Sequence, residues 1–229
     1  DPVDGNGTDI PAVIETICNP KVNKIKFTNG KCEEKELNYY YNLADVQFMM
    51  TDNEGWGLSL TEGLMAGNMI IAPVQGGMQD QMRFEDENGD WIDFTTEFPT
   101  NSNGKYKKCG EWAIPMFGKT RSLKGSPPTP YIYSTQVDIE DAGLALLSCY
   151  TLGRKEIQRR GFKGREWLQS EETRMTASGM GQNFIDNIDN LFKKWKPIKK
   201  FTIEKVGEGY TTHNPNSVQY TPEFKQKVK

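Results

Sequence analysis

Residues 45–77 read DVQFMMTDNEGWGLSLTEGLMAGNMIIAPVQGG, and this stretch contains the pattern that determines the fold. It begins with an apolar run at 46–51, which is long enough for a strand buried in a parallel sheet. Leucines at helical spacing follow from Gly57, and Gly67 is the residue type that commonly ends a helix. A second apolar run at 69–73 predicts the next strand. Strand, helix and strand in this order are typical of an α/β protein with a parallel sheet.

The loop between the first strand and the helix is the candidate binding site. Ligands of parallel sheets bind beyond the carboxyl ends of the strands, and Glu54 lies in that position. Gly55 and Gly57 have no side chains, so a ligand can approach the backbone closely. Free N–H groups at the helix start, at Gly57, Leu58 and Ser59, favour an anion such as a diphosphate.

A second glutamate, Glu62, lies within the helix, roughly 7–8 Å along its axis from the start. Two carboxylates at such different depths do not readily share one proton or one metal ion. Glu54 and Glu62 are better placed to accept hydrogen bonds from hydroxyls at two ends of an extended polyhydroxylated ligand. A nucleotide sugar has that shape. The spacing alone carries no weight, because a chain this rich in glutamate contains about one such pair by chance.

With its strand, glycines and helix, the stretch resembles the donor-binding signature of family-4-type retaining glycosyltransferases, which have the two-domain GT-B fold. Their pattern has two glutamates separated by seven residues, and here it reads EGWGLSLTEG from Glu54. The similarity extends to Ala44 and Asp45 before the strand, and to Gly76 and Gly77 after the next strand. The resemblance implies an α/β fold with a Rossmann-like parallel sheet flanked by helices, the C-terminal half of a GT-B glycosyltransferase.

The resemblance also implies a role for each residue of the site. Glu54, the candidate catalytic residue, is expected to contact the transferred sugar, and Glu62 the ribose hydroxyls. The turn at Gly76 and Gly77 is expected to border the sugar. The donor is a nucleotide diphosphate sugar, and neither a metal nor another cofactor is expected. The full set of expected donor-binding residues is Glu54, Gly55, Trp56, Gly57, Leu58, Ser59, Glu62, Gly76 and Gly77.

The family pattern also indicates what is missing from the chain. Members of the family have an N-terminal acceptor domain, and an Arg and a Lys that neutralise the diphosphate. The opening residues DPVDGNGTDI resemble the loop after the first strand of the donor domain. We therefore expect a fragment of a larger enzyme, with the missing acceptor domain as its partner and little turnover by this chain alone. The sugar, base, acceptor and oligomeric state are left open.

Three regions are predicted along the chain. Residues 1–197 form a nucleotide-sugar-binding Rossmann-like domain, and residues 198–229 form a polar basic tail. Within the domain, about 95–135 is an ordered insertion, because it is rich in Gly, Pro and Lys yet keeps several aromatic residues. The basic side chains of this interval face either solvent, which is the favoured alternative, or an anionic ligand. These basic residues are Lys119, Arg121 and Lys124.

Composition narrows the classes of function. The chain of 229 residues has one histidine, His213, in a polar segment near its end. A single histidine in such a segment excludes Ser-His-Asp hydrolases and histidine-based metalloenzymes as candidate functions. Four scattered cysteines without C-x-x-C spacing predict reduced thiols in a cytoplasmic protein. No run approaches the roughly 18 apolar residues of a membrane span.

Two hypotheses from different classes remain. The first is an enzyme, the donor domain of a retaining glycosyltransferase that moves a hexosyl group to an acceptor hydroxyl. The alternative is a catalytically inactive nucleotide-sugar-binding or assembly module of the same fold. A nucleotide-sugar epimerase shares the fold but normally depends on His and further acids not seen here. The pair Arg159 and Arg160 indicates a solvated helix face rather than a nucleic-acid site, although a modified base stays among the acceptors left open.

Overall fold

The computed structural model describes residues 8–19, 24–28, 30–52, 54–92, 106 and 108–197. One compact unit ends at Ile185, and a second unit starts at Asp186 within the last helix. The helices are α1 (Ile10–Ile17), α2 (Glu34–Leu43), α3 (Leu58–Ala66), α4 (Ile139–Leu152), α5 (Arg154–Leu168) and α6 (Ala177–Lys194). The strands are β1 (Val46–Phe48), β2 (Met69–Pro73), β3 (Ala113–Met116), β4 (Thr120–Ser126) and β5 (Thr129–Gln136). Two short 3-10 turns follow β2, at Gly76–Met78 and Asp80–Met82.

The central sheet consists of three parallel strands in the order β1-β2-β3. Val46 pairs with Met69, and Ile70 pairs with Ala113. Every residue of β2 is buried, as expected for the middle strand of a sheet with helices on both faces. The protein is therefore a mixed α/β structure with a small parallel sheet flanked by helices, and this part of the prediction is confirmed.

Successive side chains of β2 point into two apolar clusters, one on each face of the sheet. Ile70 belongs to a cluster with Leu64 of α3 and Leu168 of α5. Ile71 belongs to the other cluster, with Ala145 of α4. Burial of apolar surface contributes about 25 cal/mol per Å², so the clusters hold the sheet between its helices. The strand ends that they fix are the base of the candidate site.

Helix α3 lies between two glycines in the left-handed conformation. Gly57 precedes it with φ +82° and ψ +63°, and Gly67 follows it with φ +89°. The N–H of Gly67 donates to the carbonyls of Gly63 and Leu64, which closes the last turn. The helix predicted between these two glycines is thus confirmed, and β2 starts immediately after it. Both glycines set how sharply the chain turns between strand and helix.

The interval 95–135, expected as an insertion, contributes to the sheet. Its segment β3 pairs in parallel with β2, and Trp112 just before it stacks on Trp167 with ring centroids 5.0 Å apart. The rest of the described interval forms an antiparallel two-stranded ribbon, β4–β5. Part of this interval therefore belongs to the core, because its apolar residues complete the packing against α5.

Several further expectations concern the remainder of the chain. The helix predicted from residue 138 is present, since the carboxylate of Asp138 accepts a hydrogen bond from the N–H of Glu140 at 2.8 Å as the cap of α4. All four cysteines are free. Within the described ranges, no helix is long and apolar enough to cross a bilayer. The tail at 198–229, with His213, lies outside the described residues, and the boundary at 197 stays a prediction.

Candidate functional site

Two loops meet at the carboxyl edge of the sheet: the edge loop (residues 54–57) after β1, and the glycine turn (Gly76 and Gly77) after β2. The N–H of Gly77 donates to the carbonyl oxygen of Gly55 at 3.0 Å. A Cβ atom at Gly76 would lie 2.0 Å from the carbonyl oxygen of Glu54, and Gly76 has φ +52°. A Cβ at Gly77 would lie 2.6 Å from the carbonyl oxygen of Gly55. Only glycine permits this approach, so the structure joins the two glycine segments that the sequence indicated separately.

Buried side-chain amides hold the edge loop in place. Gln81 is fully buried, its amide nitrogen donates to the carbonyl of Trp56 at 2.7 Å, and its amide oxygen accepts from the Thr61 hydroxyl at 2.9 Å. The same hydroxyl accepts from the indole N–H of Trp56 at 2.9 Å. Gln75, 2% exposed, donates to the carbonyl of Thr51 at 2.7 Å. Because the buried amides of Gln75 and Gln81 donate to backbone carbonyls, they hold the edge loop and the segment before it in one geometry.

Sequence reasoning did not single out Thr61, Gln75 or Gln81. The only signal was three glutamines within seven residues, at 75, 79 and 81 in VQGGMQDQM, a segment that follows a buried strand. A buried amide is costly unless it is hydrogen-bonded, so glutamines there indicate partners on a neighbouring loop. Which loop supplies the partners is set by the packing of α3 against the sheet.

Glu62 lies on a different side of α3, in a groove beside α2. Its Oε2 atom accepts a hydrogen bond from the Tyr41 hydroxyl at 2.7 Å. Burial, and then the Glu62 carboxylate, raise the pKa of Tyr41 to about 12. The groove has a volume of about 580 Å³, and Asn38, Thr61 and Arg165 also line it. Since Thr61 also binds Trp56 and Gln81, the groove and the edge loop share one side chain.

The start of α3 combines exposure with uncapped backbone groups. Leu58 is 70% exposed, and the hydroxyl of Ser59 contacts the sulfur of Met49 at 3.5 Å. Gly57 has no side chain that can accept from the first-turn N–H groups of the helix. This helix start lies between the edge loop and the Glu62 groove, and its partial positive charge favours an anion.

A second cavity of about 520 Å³ lies at the carboxyl ends of β1 and β2. The ribbon and the start of α4 form its other wall. Asp52 lines this cavity and forms an ion pair with Lys124 of the ribbon. The hydrogen bond from the Lys124 ammonium lowers the pKa of the Asp52 carboxyl. The ribbon is therefore attached to the chain immediately before the edge loop.

The expected donor-binding residues thus fall into two groups. In the first group, the edge loop and the glycine turn are in contact, and Leu58 and Ser59 directly follow the edge loop. The second group is Glu62, which lies in the groove with Tyr41. Within the described part of the chain, no group of three or more His, Cys, Asp or Glu side chains is arranged to hold a metal ion, and the expectation about cofactors stays a prediction. No protein-family model matches the chain, and no curated protein matches it.

Proposed function

We propose that the chain binds a nucleotide diphosphate sugar at the carboxyl edge of its sheet, as the donor domain of a retaining glycosyltransferase. The observation that carries the proposal is the direct contact between the edge loop and the glycine turn. Their backbones touch where parallel-sheet proteins bind nucleotides, beside a helix start that lacks a capping side chain.

Each part of the donor has a complementary region of the site. The diphosphate accepts hydrogen bonds from the N–H groups of Leu58 and Ser59, and the Glu54 carboxylate accepts from hydroxyls of the sugar. The nucleoside enters the groove beside α2, whose volume of about 580 Å³ is in the range of small-molecule sites. Tyr41 occupies one oxygen of Glu62, and a carboxylate has a second oxygen for a ribose hydroxyl.

The proposed transfer needs no histidine base. The bond from the anomeric carbon to the phosphate oxygen breaks, and its electron pair stays on the phosphate. The acceptor oxygen forms its bond to the same carbon from the same face, and its proton passes to the departing phosphate oxygen. The protein orients the reactants, while the amides at the start of α3 stabilise the negative charge that develops on the diphosphate.

Titration calorimetry with the full chain tests the donor site. We expect UDP-glucose, GDP-glucose or ADP-glucose to bind, together with the matching nucleoside diphosphate. Glu62→Gln should weaken both the sugar nucleotide and the nucleoside diphosphate, each by about tenfold or more, since a hydrogen bond to a charged group is lost. Glu54→Gln should weaken only the sugar nucleotide, because Glu54 is assigned to the sugar.

Glu171→Gln is the matched control, since Glu171 is an exposed glutamate after α5 and should leave binding unchanged. The proposal is wrong if the folded protein binds none of the three sugar nucleotides, or if both site variants bind like the parent. Binding without any release of nucleoside diphosphate, even when an acceptor domain is added, would favour the inactive binding module.

A further inference from the structure

The phenol of Tyr41 and the carboxylate of Glu62 form a hydrogen-bonded pair in the wall of the groove beside α2. The Tyr41 hydroxyl donates to Oε2 of Glu62 at 2.7 Å, and both side chains line the cavity of about 580 Å³. Glu62 is exposed and Tyr41 is half-buried, so both residues are accessible to a molecule in the groove. We call Tyr41 and Glu62 the Tyr–Glu pair.

The position of Tyr41 is also fixed from the end of α3. Asn68, which follows the glycine that ends α3, is 3% exposed, and its Nδ2 atom donates to the carbonyl oxygen of Tyr41 at 2.9 Å. Tyr41 is thus attached to α3 and its end through two hydrogen bonds, one from its main chain and one from its hydroxyl. The direction of the phenol is therefore set before a ligand binds, which favours a selective contact.

The hydrogen bond within the Tyr–Glu pair determines which atoms of the pair accept from a ligand. A phenol has one O–H donor and an oxygen that also accepts, and here the proton of Tyr41 is engaged by the carboxylate. Burial and the Glu62 carboxylate raise the pKa of Tyr41 to about 12, so the phenol keeps this proton at neutral pH. An ionised carboxylate only accepts. The pair therefore offers two neighbouring acceptors, the phenol oxygen and the second carboxylate oxygen.

The other polar groups of the groove do not offer such a pair. The Thr61 hydroxyl is engaged in the amide network of the edge loop. The side-chain nitrogen of Asn42 donates to the carbonyl oxygen of Asn38 at 2.7 Å and to its side-chain oxygen at 3.1 Å. Glu34 also lines the groove, but it lies seven residues before Tyr41, about 10 Å along α2. Two adjacent hydroxyls of a ligand therefore fit the Tyr–Glu pair best.

The place of the pair also fits the ribose of a nucleotide. Glu62 lies four residues after Leu58, which is one helical turn or about 6 Å further along the same side of α3. In the donor binding proposed above, the diphosphate lies at the N–H groups of Leu58 and Ser59. The next group of the nucleotide is the ribose, which carries two hydroxyls on adjacent carbon atoms. A diphosphate at the helix start thus brings these hydroxyls to the Tyr–Glu pair.

We propose that Tyr41 is a second ribose-binding residue and makes the site selective for ribonucleotides over deoxyribonucleotides. This rests on the proposed donor binding. One ribose hydroxyl donates to the second oxygen of Glu62, and the adjacent hydroxyl donates to the phenol oxygen of Tyr41. Because the phenol donates to a carboxylate, its oxygen is polarised and becomes a better acceptor. A deoxy sugar lacks one of the two donors and leaves one acceptor of the pair without it.

Titration calorimetry of the full chain with UDP, GDP and ADP, each with its 2′-deoxy and 3′-deoxy form, tests the inference. For the ribonucleotide that binds, each deoxy form should bind the parent protein about tenfold more weakly. Tyr41→Phe should bind the ribonucleotide about tenfold more weakly, yet it should bind one deoxy form as well as the parent does. Its discrimination against the other deoxy form should remain. A tyrosine that only orients Glu62 would not produce this split.

Tyr40→Phe is the matched control. Tyr40 precedes Tyr41 on α2, is 44% exposed, and its hydroxyl also donates to a glutamate, Glu36, at 3.1 Å. Neither Tyr40 nor Glu36 lines the groove, so this variant should keep the affinity and the discrimination of the parent. Urea denaturation shows that both variants are folded.

The outcomes separate this inference from the donor site. Failure of UDP, GDP and ADP to bind the parent refutes the donor site and the role of Tyr41 with it. Binding of a ribonucleotide and both its deoxy forms with equal affinity refutes the role of Tyr41 alone, and this comparison needs no variant. The same conclusion follows if Tyr41→Phe weakens all three forms equally or behaves like Tyr40→Phe.

Discussion

The edge loop and the ribbon lie at the same end of the sheet, but different interactions hold them in place. Buried amides of Gln75 and Gln81 hold the edge loop and the segment before it, and the loop contacts the glycine turn without intervening side chains. The ribbon is fastened through the ion pair of Lys124 with Asp52, whose side chains are about half exposed. A hydrogen bond removed from a buried group costs about 1–3 kcal/mol, whereas an exposed ion pair contributes about 0–1 kcal/mol.

This difference matches the donor binding that we propose. A donor sugar has to be held in one geometry for transfer, and a loop held by the hydrogen-bonded amides of Gln75 and Gln81 provides that geometry. The comparison predicts that changes to the edge loop affect stability and donor binding together, and that changes to the ribbon leave stability nearly unchanged.

The largest effect is expected for Gly77→Ala, because the new Cβ would lie 2.6 Å from the carbonyl oxygen of Gly55 and 2.7 Å from the Trp56 ring. We expect the free energy of unfolding to fall by about 2–3 kcal/mol, with loss of donor binding. Urea denaturation and calorimetry measure the two effects. Gly143→Ala in α4 is the control, since nothing lies within 4 Å of its Cβ and the change should stabilise the helix by about 0.5–1 kcal/mol. Equal stability of both variants would contradict the tight loop contact.

The next largest effect is expected for Gln81→Leu, which keeps the size of the side chain but removes the donor to the Trp56 carbonyl and the acceptor for the Thr61 hydroxyl. Stability should fall by about 2 kcal/mol in urea denaturation, and donor affinity should fall with it. Gln158→Leu on the exposed side of α5 is the control and should change stability by less than about 0.5 kcal/mol. If Gln81→Leu behaves like Gln158→Leu, the amide network does not hold the loop.

A smaller, pH-dependent effect is expected for Tyr41→Phe. The folded state keeps the Tyr41 proton up to a pKa of about 12, whereas the unfolded chain loses it near pH 10. The stability due to this raised pKa is complete below pH 10 and is lost as the pH rises from about 10 to 12. Tyr41→Phe should remove this component from unfolding curves measured across that range, while Tyr150→Phe should keep it. If the free energy of unfolding of Tyr41→Phe falls with pH as steeply as that of the parent protein, another group is responsible for the pH dependence.

The smallest effect on stability is expected for Lys124→Met in the ribbon. Loss of the exposed ion pair should change the free energy of unfolding by less than about 1 kcal/mol. The pKa of Asp52, which the Lys124 ammonium lowers, should rise toward its ordinary value, and carboxyl NMR signals followed against pH measure this rise. Lys155→Met on α5 is the control and should leave the Asp52 titration unchanged. A loss of stability as large as that of Gln81→Leu would remove the distinction between the two regions.

The sequence predicted the elements whose signals are local. The helix between Gly57 and Gly67 is present with both glycines left-handed, and β2 has the bounds of the apolar run at 69–73. The third strand was harder to place, because β3 is a four-residue segment within an interval of Gly, Pro and Lys. Its partner in the sheet and the tryptophan stack beside it, rather than its own composition, make it a core strand.

The sequence by itself determined the parallel strand–helix–strand unit and the position of its glutamates and glycines, because hydrophobic period and helix-ending glycines act over a few residues. Only the tertiary structure decided that Gly77 touches Gly55, that Gln81 holds Trp56, and that Glu62 faces Tyr41. These contacts join segments about 20 residues apart. No local pattern specifies such pairs, since they form when α3 packs against the sheet and α2 packs against α3.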